Sequence, residues 1–417
     1  MHELPHAFFK LLLPATLLLS LPLSLQANPD PGKSSSKAGA PHEVSAEVCG
    51  SCHKEIFAEW KGSMHAQSSA LVDPIHGAFY RKVIGDPRQE GVLTKKGKYP
   101  VCLRCHAPNA AIQKKTKLDS KIAFNEGVNC VFCHTLTKFK GTTKPDGKLR
   151  LGQAAYENSK TALQAPSGKN YSTSEKPAGA SATAADFHPF PMEGGKSVLL
   201  KSNDACMGCH DRRNNFHGVP LCATGTEIAD SKVFTSCQSC HMATVNGHAD
   251  HSMAGGHNED MVRRGITMAL DVTEKAGQYQ ATVKLINKLP HKFPTGAPFR
   301  NVYLKLTAYD DGGNVLWQNY KTHPMKDDPK AAFVYILGDD EGKPAMPPKA
   351  KQVLSDSRLD PNTERVLDYT IPADKVKVVR AELLYNLLLP KLVTQLDKVL
   401  TDDLRNPKQA AFAEVRF

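Results

Sequence analysis

The chain is 417 residues long, ample for two or three domains whose cores need no disulfide staples. Its 53 Lys and Arg outnumber its 42 Asp and Glu, for a formal charge of +11. Beyond the N-terminal segment no stretch approaches the about 18 apolar residues of a membrane span, so none is expected in the mature chain.

In chain order, a short basic and then strongly apolar run from Lys10 to Leu25 ends at Gln26-Ala27 and reads as a signal peptide over residues 1–27. It implies export to the periplasm or cell surface. Residues 28–44, rich in Pro, Gly, Ser and Lys at their start, read as a flexible linker, with His42 near its end.

Cys49-Gly-Ser-Cys52-His53 follows, and the same Cys-x-x-Cys-His pattern recurs at Cys102, Cys105 and His106, at Cys130, Cys133 and His134, at Cys206, Cys209 and His210, and at Cys237, Cys240 and His241. Chance would place roughly 0.01 such motifs in a chain with this many Cys and His. The pattern is the covalent attachment signature of haem c: both thiols add to vinyl groups and the adjacent histidine becomes the proximal iron ligand. Zinc knuckles and disulfides do not require a histidine after every pair. Five haems bring about ten propionates, which offset the formal charge, so a nucleic-acid partner is not expected. Cys222, the remaining cysteine, reads as a small buried hydrophobe.

Lys54 to Ala70 reads as one helix, with Ile56, Trp60 and Met64 on one face. Its rise of about 18 Å between His53 and His65 would send His65 to a different haem from the one His53 opens. The second and third motifs, and likewise the fourth and fifth, are close in sequence and are expected to hold neighbouring haems. Residues 157–186 read as a mobile surface loop by composition. Distal iron ligands are sought among the other histidines: His65, His251 and His257 first, then His42 and His76, then His291 within Pro290-His-Lys-Phe-Pro294. His188, His217, His248 and His323 read as surface or loop histidines.

Past about residue 261 the cysteines stop and a period of two begins. Tyr279, Ala281, Val283 and Leu285 alternate with polar neighbours, as do Val302, Leu304, Leu306 and Ala308. A turn at Asp310–Gly313, further strands at 332–337, 365–371, 378–388 and 411–417, and a helix near 391–400 complete the pattern. The expected fold is multidomain: a mainly helical, loop-rich pentahaem cytochrome domain over 45–260, then a β-sandwich-like domain over 261–417.

Cys49-x-x-Cys-His53 with Trp60-x-x-Ser63-x-His65, and Cys237-x-x-Cys-His-Met242 with His251 and Gly255-Gly-His257, resemble the multihaem c-type cytochromes related to the tetrahaem electron carrier of ammonia oxidisers and to the haem cores of hydroxylamine oxidoreductases. His291-Lys-Phe-Pro-Thr-Gly296 resembles an element of the β-rich domain attached to such cytochromes in metal- and sulfur-respiring bacteria. The resemblance implies mostly bis-histidine haems in a chain, ligands exchanged between haem segments, and a role in anaerobic respiration. The expected function is electron transfer with redox partner proteins, quinol-linked or outer-surface cytochromes, and no catalytic residue. The rival is an enzyme that reduces a small nitrogen or sulfur oxyanion at one open haem. The β-domain is also a natural surface for a homo-oligomer or complex.

Overall fold

Ser63 stops the first long helix. In the computed structural model, which describes residues 41–171, 173 and 188–417, the expected helix Lys54 to Ala70 is two: Lys54–Gly62 and Met64–Gln67. Gly62 is a poor helix former, and Ser63 turns to an extended ψ of 158° and caps the next turn by accepting from the Ala66 amide. Trp60 is buried and its Nε1 donates to the Val128 carbonyl at 2.8 Å. The signal peptide, residues 28–40 of the linker and most of 172–187 lie outside the described residues.

The linker reading fails at its end. Pro41–Glu43 forms a 3-10 turn with His42 buried, and the Val44 carbonyl accepts from Asn129. The loop reading of 157–186 also fails for its first part. Ala162 to Ala165 are buried, and Leu163–Gln164 pairs in parallel with Met192–Glu193. The serine-rich composition there hides a short apolar segment that the core uses.

The C-terminal region is β-rich, with strands β1 (Ile266–Lys275), β2 (Gln278–Asn287), β3 (Asn301–Tyr309), β4 (Val315–Gln318), β5 (Ala332–Gly338), β6 (Gln352–Asp356), β7 (Glu364–Pro372), β8 (Val378–Asn386) and β9 (Lys408–Arg416). One sheet runs β7-β2-β1; the other runs β6-β5-β3-β8-β9, with β4 beside β3. All of these pairings are antiparallel. In register, Val283 faces Leu270 and Leu367, and Leu304 faces Leu383. The alternating side chains of β2 and β7 join those of β3 and β8 in one apolar cluster, where each buried leucine is worth about 2 kcal/mol. Ile75, from the motif-bearing half, belongs to the same cluster, so the two halves share a core and the described residues form one compact unit. Among the described residues no helix is long and apolar enough to cross a membrane.

Candidate haem-attachment sites

Each motif histidine ends a helical turn or follows one. Leu103–His106, Cys130–His134, Asp204–His210 and Cys237–His241 are short helices, and His53 lies just past Ala46–Gly50. Local caps fix them: Asn129 accepts from the Phe132 amide and Ser236 from the Ser239 amide. A helical turn projects two cysteines three apart and the next histidine toward one side.

The ring geometry brings histidines together in pairs. The His53 and His188 centroids are 6.4 Å apart, and those of His65 and His210 are 6.0 Å apart. A metal-bound imidazole nitrogen sits about 2 Å from the metal and roughly 1 Å from its ring centre, so two axial rings on one iron place their centroids roughly 6 Å apart. Both pairs fit that spacing. His76 and His106 are closer, 4.0 Å, because both donate Nδ1–H to the same carbonyl, Ser68 O, at 2.9 and 3.2 Å. The His76 Nε2 is buried without a partner.

Backbone carbonyls fix the tautomer of most of the set. Nδ1 donates from His134 to Gln164 O (3.2 Å), from His241 to Ala254 O (2.6 Å), from His251 to Ala249 O (2.6 Å) and from His291 to Lys292 O (3.0 Å). An Nδ1–H held this way leaves the Nε2 lone pair for a metal. Burial pushes His65, His76 and His210 down to about 4, and His106 and His134 below the usual histidine range, so these rings are neutral at neutral pH as ligation requires. His210 lies deep in the fold yet keeps exposed surface, as does His53, which is the room a planar cofactor needs.

The thiols interleave the motifs. Cys49 lies near Cys130, Cys105 near Cys209, and Cys206 near Cys237. The first motif thus meets the third, and the fourth meets both the second and the fifth. Neighbours in sequence were expected to pair; only the fourth and fifth do so through their sulfurs. His134 also feels His251, His53 and His188, while His291 feels His241.

Two expected ligands have no histidine ring paired with theirs among the described residues. His257, pushed to about 4 by burial and then by Arg300 and Lys408, has those cations and Asp403 as neighbours rather than a motif histidine. His42 is buried with Nδ1 unpartnered and its other nitrogen at the Ser159 backbone, again with no motif histidine beside it. His188, read as a surface histidine, faces His53 instead. Its only sequence signal is the His-Pro-Phe-Pro stretch at 188–191, with prolines following the histidine closely as Pro294 follows His291. His248 pairs with Glu59 Oε1 at 2.9 Å, and Glu59 Oε2 accepts the His251 amide. Cys222 is half-buried, its Sγ 3.7 Å from the His210 carbonyl.

Glu227 anchors the His291 loop. It accepts from Thr295 Oγ1 at 2.6 Å and from the Lys292 amide, and its other oxygen meets Arg358 at 2.9 Å.

Five attachment motifs on a histidine-lined frame define a multihaem c-type cytochrome. Residues 48–135 match the family model for cytochrome c554 and c-prime. A search of curated proteins finds no match. The crystal structure of a penta-heme cytochrome c552 from Thermochromatium tepidum is similar at 47% identity with a TM-score of 0.82, over 91% of this chain and all of that one. The chain belongs to the penta-haem c-type cytochrome family and carries five covalently attached haems.

Proposed function

We propose that the protein is an exported electron carrier that passes electrons between respiratory redox proteins through five closely spaced haems. The observation that carries this reading is the pairing of His53 with His188 and of His65 with His210 at axial spacing. Bound haem supplies one-electron chemistry at low potential. The chain's own residues do the rest. His53 with His188 and His65 with His210 would hold the haem iron of their sites. Carbonyls of Ser68, Gln164, Ala254 and Lys292 fix the rings that face each site. His251 is assigned to the third site and His291 to the fifth, while His76, whose ring is 4.0 Å from that of His106, is the neighbouring histidine at the second. Interleaved motifs keep successive sites within contact, and the β-rich region, read as a sandwich closing on the fifth site through His291, also offers a surface for partners or a second copy. Residues 1–27 remain our assignment of an export signal.

Low-temperature EPR with resonance Raman on the purified protein tests the reading. Five low-spin hexacoordinate signals support it; a high-spin haem that binds nitrite, hydroxylamine or CO supports an enzyme. That second reading draws on His134 and His241, whose rings have no second histidine stacked against them among the described residues.

A further inference from the structure

Net charge is spread very unevenly along the chain. Residues 81–121 hold eleven Lys and Arg against three Asp and Glu, a net of +8 out of +11 for the whole, so the rest of the chain carries only +3. The fold gathers this stretch onto one face. Leu118 donates its amide to the Pro87 carbonyl at 2.9 Å, Gly91 to Thr116 Oγ1 at 2.8 Å and Lys117 to Glu90 Oε2 at 3.1 Å, which lays the 87–91 segment beside 115–118. The Thr94 amide meets the Lys98 carbonyl at 2.8 Å across a turn whose left-handed corner is Gly97, and the Tyr99 hydroxyl ties that turn to the Lys115 carbonyl at 2.9 Å. Arg88 meets Asp119, Lys115 meets Glu90 and Lys121 meets Glu43. Among the described residues the exposed Lys95, Lys96, Lys98, Lys114 and Lys117 have no carboxylate within salt-bridge reach. Underneath lies the second attachment motif: Tyr99 and Cys102 pack on the cluster that Tyr80, Leu103 and Leu118 build. Val101, the residue before Cys102, is exposed, as is Leu93. Phe216 is exposed too, its ring centre 4.6 Å from Lys96 Nζ.

We propose that this lysine-rich face over the second attachment motif is the docking surface for an acidic redox protein. The inference deepens the carrier function and rests on it. One electron leaves the reduced partner and is taken up at the second site, with no bond made or broken. The face has the make-up of a short-lived interface, single apolar side chains at Leu93, Val101 and Phe216 among charges of one sign. Such a field steers an anionic partner and raises its association rate by about 10- to 1,000-fold at low salt. Exposed ion pairs hold weakly, so the partner also leaves quickly. Two propionates of the second haem would leave residues 81–121 at about +6, so cofactor loading does not remove the field. A second copy of the chain is the poorer match, because the rest of the chain is itself net positive. A membrane is poorer as well, since turns and short helices here offer no continuous apolar stripe to enter a bilayer.

Stopped-flow reduction of the haem-loaded protein tests this with two donors, a reduced acidic flavodoxin and the uncharged deazariboflavin radical. With flavodoxin the wild-type second-order rate constant is expected to fall about tenfold or more between about 10 mM and about 500 mM NaCl. Lys95→Glu, Lys96→Glu and Lys98→Glu combined lower the low-salt constant by about tenfold and flatten that dependence, with the deazariboflavin rate unchanged. The same reversals at the exposed Lys275, Lys284 and Lys288 change net charge equally and leave most of the flavodoxin rate in place. Should reversal disturb the turn, glutamine at the first three positions shows a smaller fall of the same sign. Calorimetry reads the complex without turnover: oxidised flavodoxin binds the wild type at low salt and not the Lys95, Lys96 and Lys98 reversal. Equal losses from the two sets of lysines, or a flavodoxin rate indifferent to salt, overturn the proposal. So does binding to phosphatidylcholine vesicles with about a third phosphatidylglycerol that this reversal abolishes while its flavodoxin rate holds, which assigns the face to lipid. A wild type that neither donor reduces sinks the carrier reading and the docking surface with it.

Discussion

Glu227 and Arg358, 131 residues apart in sequence, meet at 2.9 Å with only 7% and 12% of their side chains exposed. Arg358 is also held by Asp356 at 2.8 Å through two nitrogens, and Asp356 in turn takes Lys292, the residue after His291. The His291 loop is therefore clamped from both sides by charge. Removing the buried carboxylate leaves an uncompensated guanidinium, so Glu227→Ala should cost about 3 kcal/mol in chemical denaturation. Glu227→Gln, which keeps an acceptor for Thr295, should cost clearly less.

Gly127 permits the placement of His65. Its φ is +63°, and a Cβ there would lie 2.1 Å from the His65 carbonyl, which accepts the Val128 amide at 2.9 Å. Gly127→Ala should destabilise by about 2 kcal/mol or more and convert one low-spin haem to high-spin, read by thermal melting and EPR on the same sample.

Single removals of histidines separate the pairings. His188→Ala, His65→Ala and His291→Ala should each produce one high-spin haem while mass spectrometry still counts five covalent haems. His257→Ala should leave every haem low-spin. A high-spin signal in that last variant would return His257 to the ligand set.

The Glu59–His248 pair predicts a pH response in the loop that carries His251. The hydrogen bond to Glu59 raises the His248 pKa above its ordinary value. A raised folded pKa means the contribution is complete below the unfolded value, about 6.5, and is lost as pH rises through the folded one. Hydrogen exchange of the segment around His251, whose amide donates to Glu59 Oε2 at 2.9 Å, should therefore accelerate from pH 6 to pH 9 beyond the intrinsic rate. Glu59→Gln should abolish that pH dependence.

The attachment sites were legible because covalent chemistry demands a local pattern, and a local pattern survives in sequence. The same holds for β2, whose alternation at Tyr279 to Leu285 matches its buried face, whereas β3 is buried on both faces, Tyr303 and Thr307 included. β6 was not legible: all five of its residues are exposed and carry no alternation. Distal histidines are a tertiary property, since a ring reaches its partner from anywhere in the chain. His188 joins His53 across 135 residues, and no spacing rule marks it. His257, preceded by two glycines and close in sequence to His248 and His251, carries the stronger sequence signal, and its ring lies near Arg300. Helix continuity misled for a local reason, the capping chemistry of Ser63. Even so, the His65 ring lies 6.0 Å from that of His210, in another motif.

Contacts between thiols of different motifs bear on how the protein is made. Cys49 abuts Cys130 and Cys105 abuts Cys209, so an unmodified chain that closed into this fold would bring together sulfurs that belong on separate cofactors. In an oxidising compartment such neighbours cross-link. Haem attachment ahead of closure would keep each sulfur on its own cofactor.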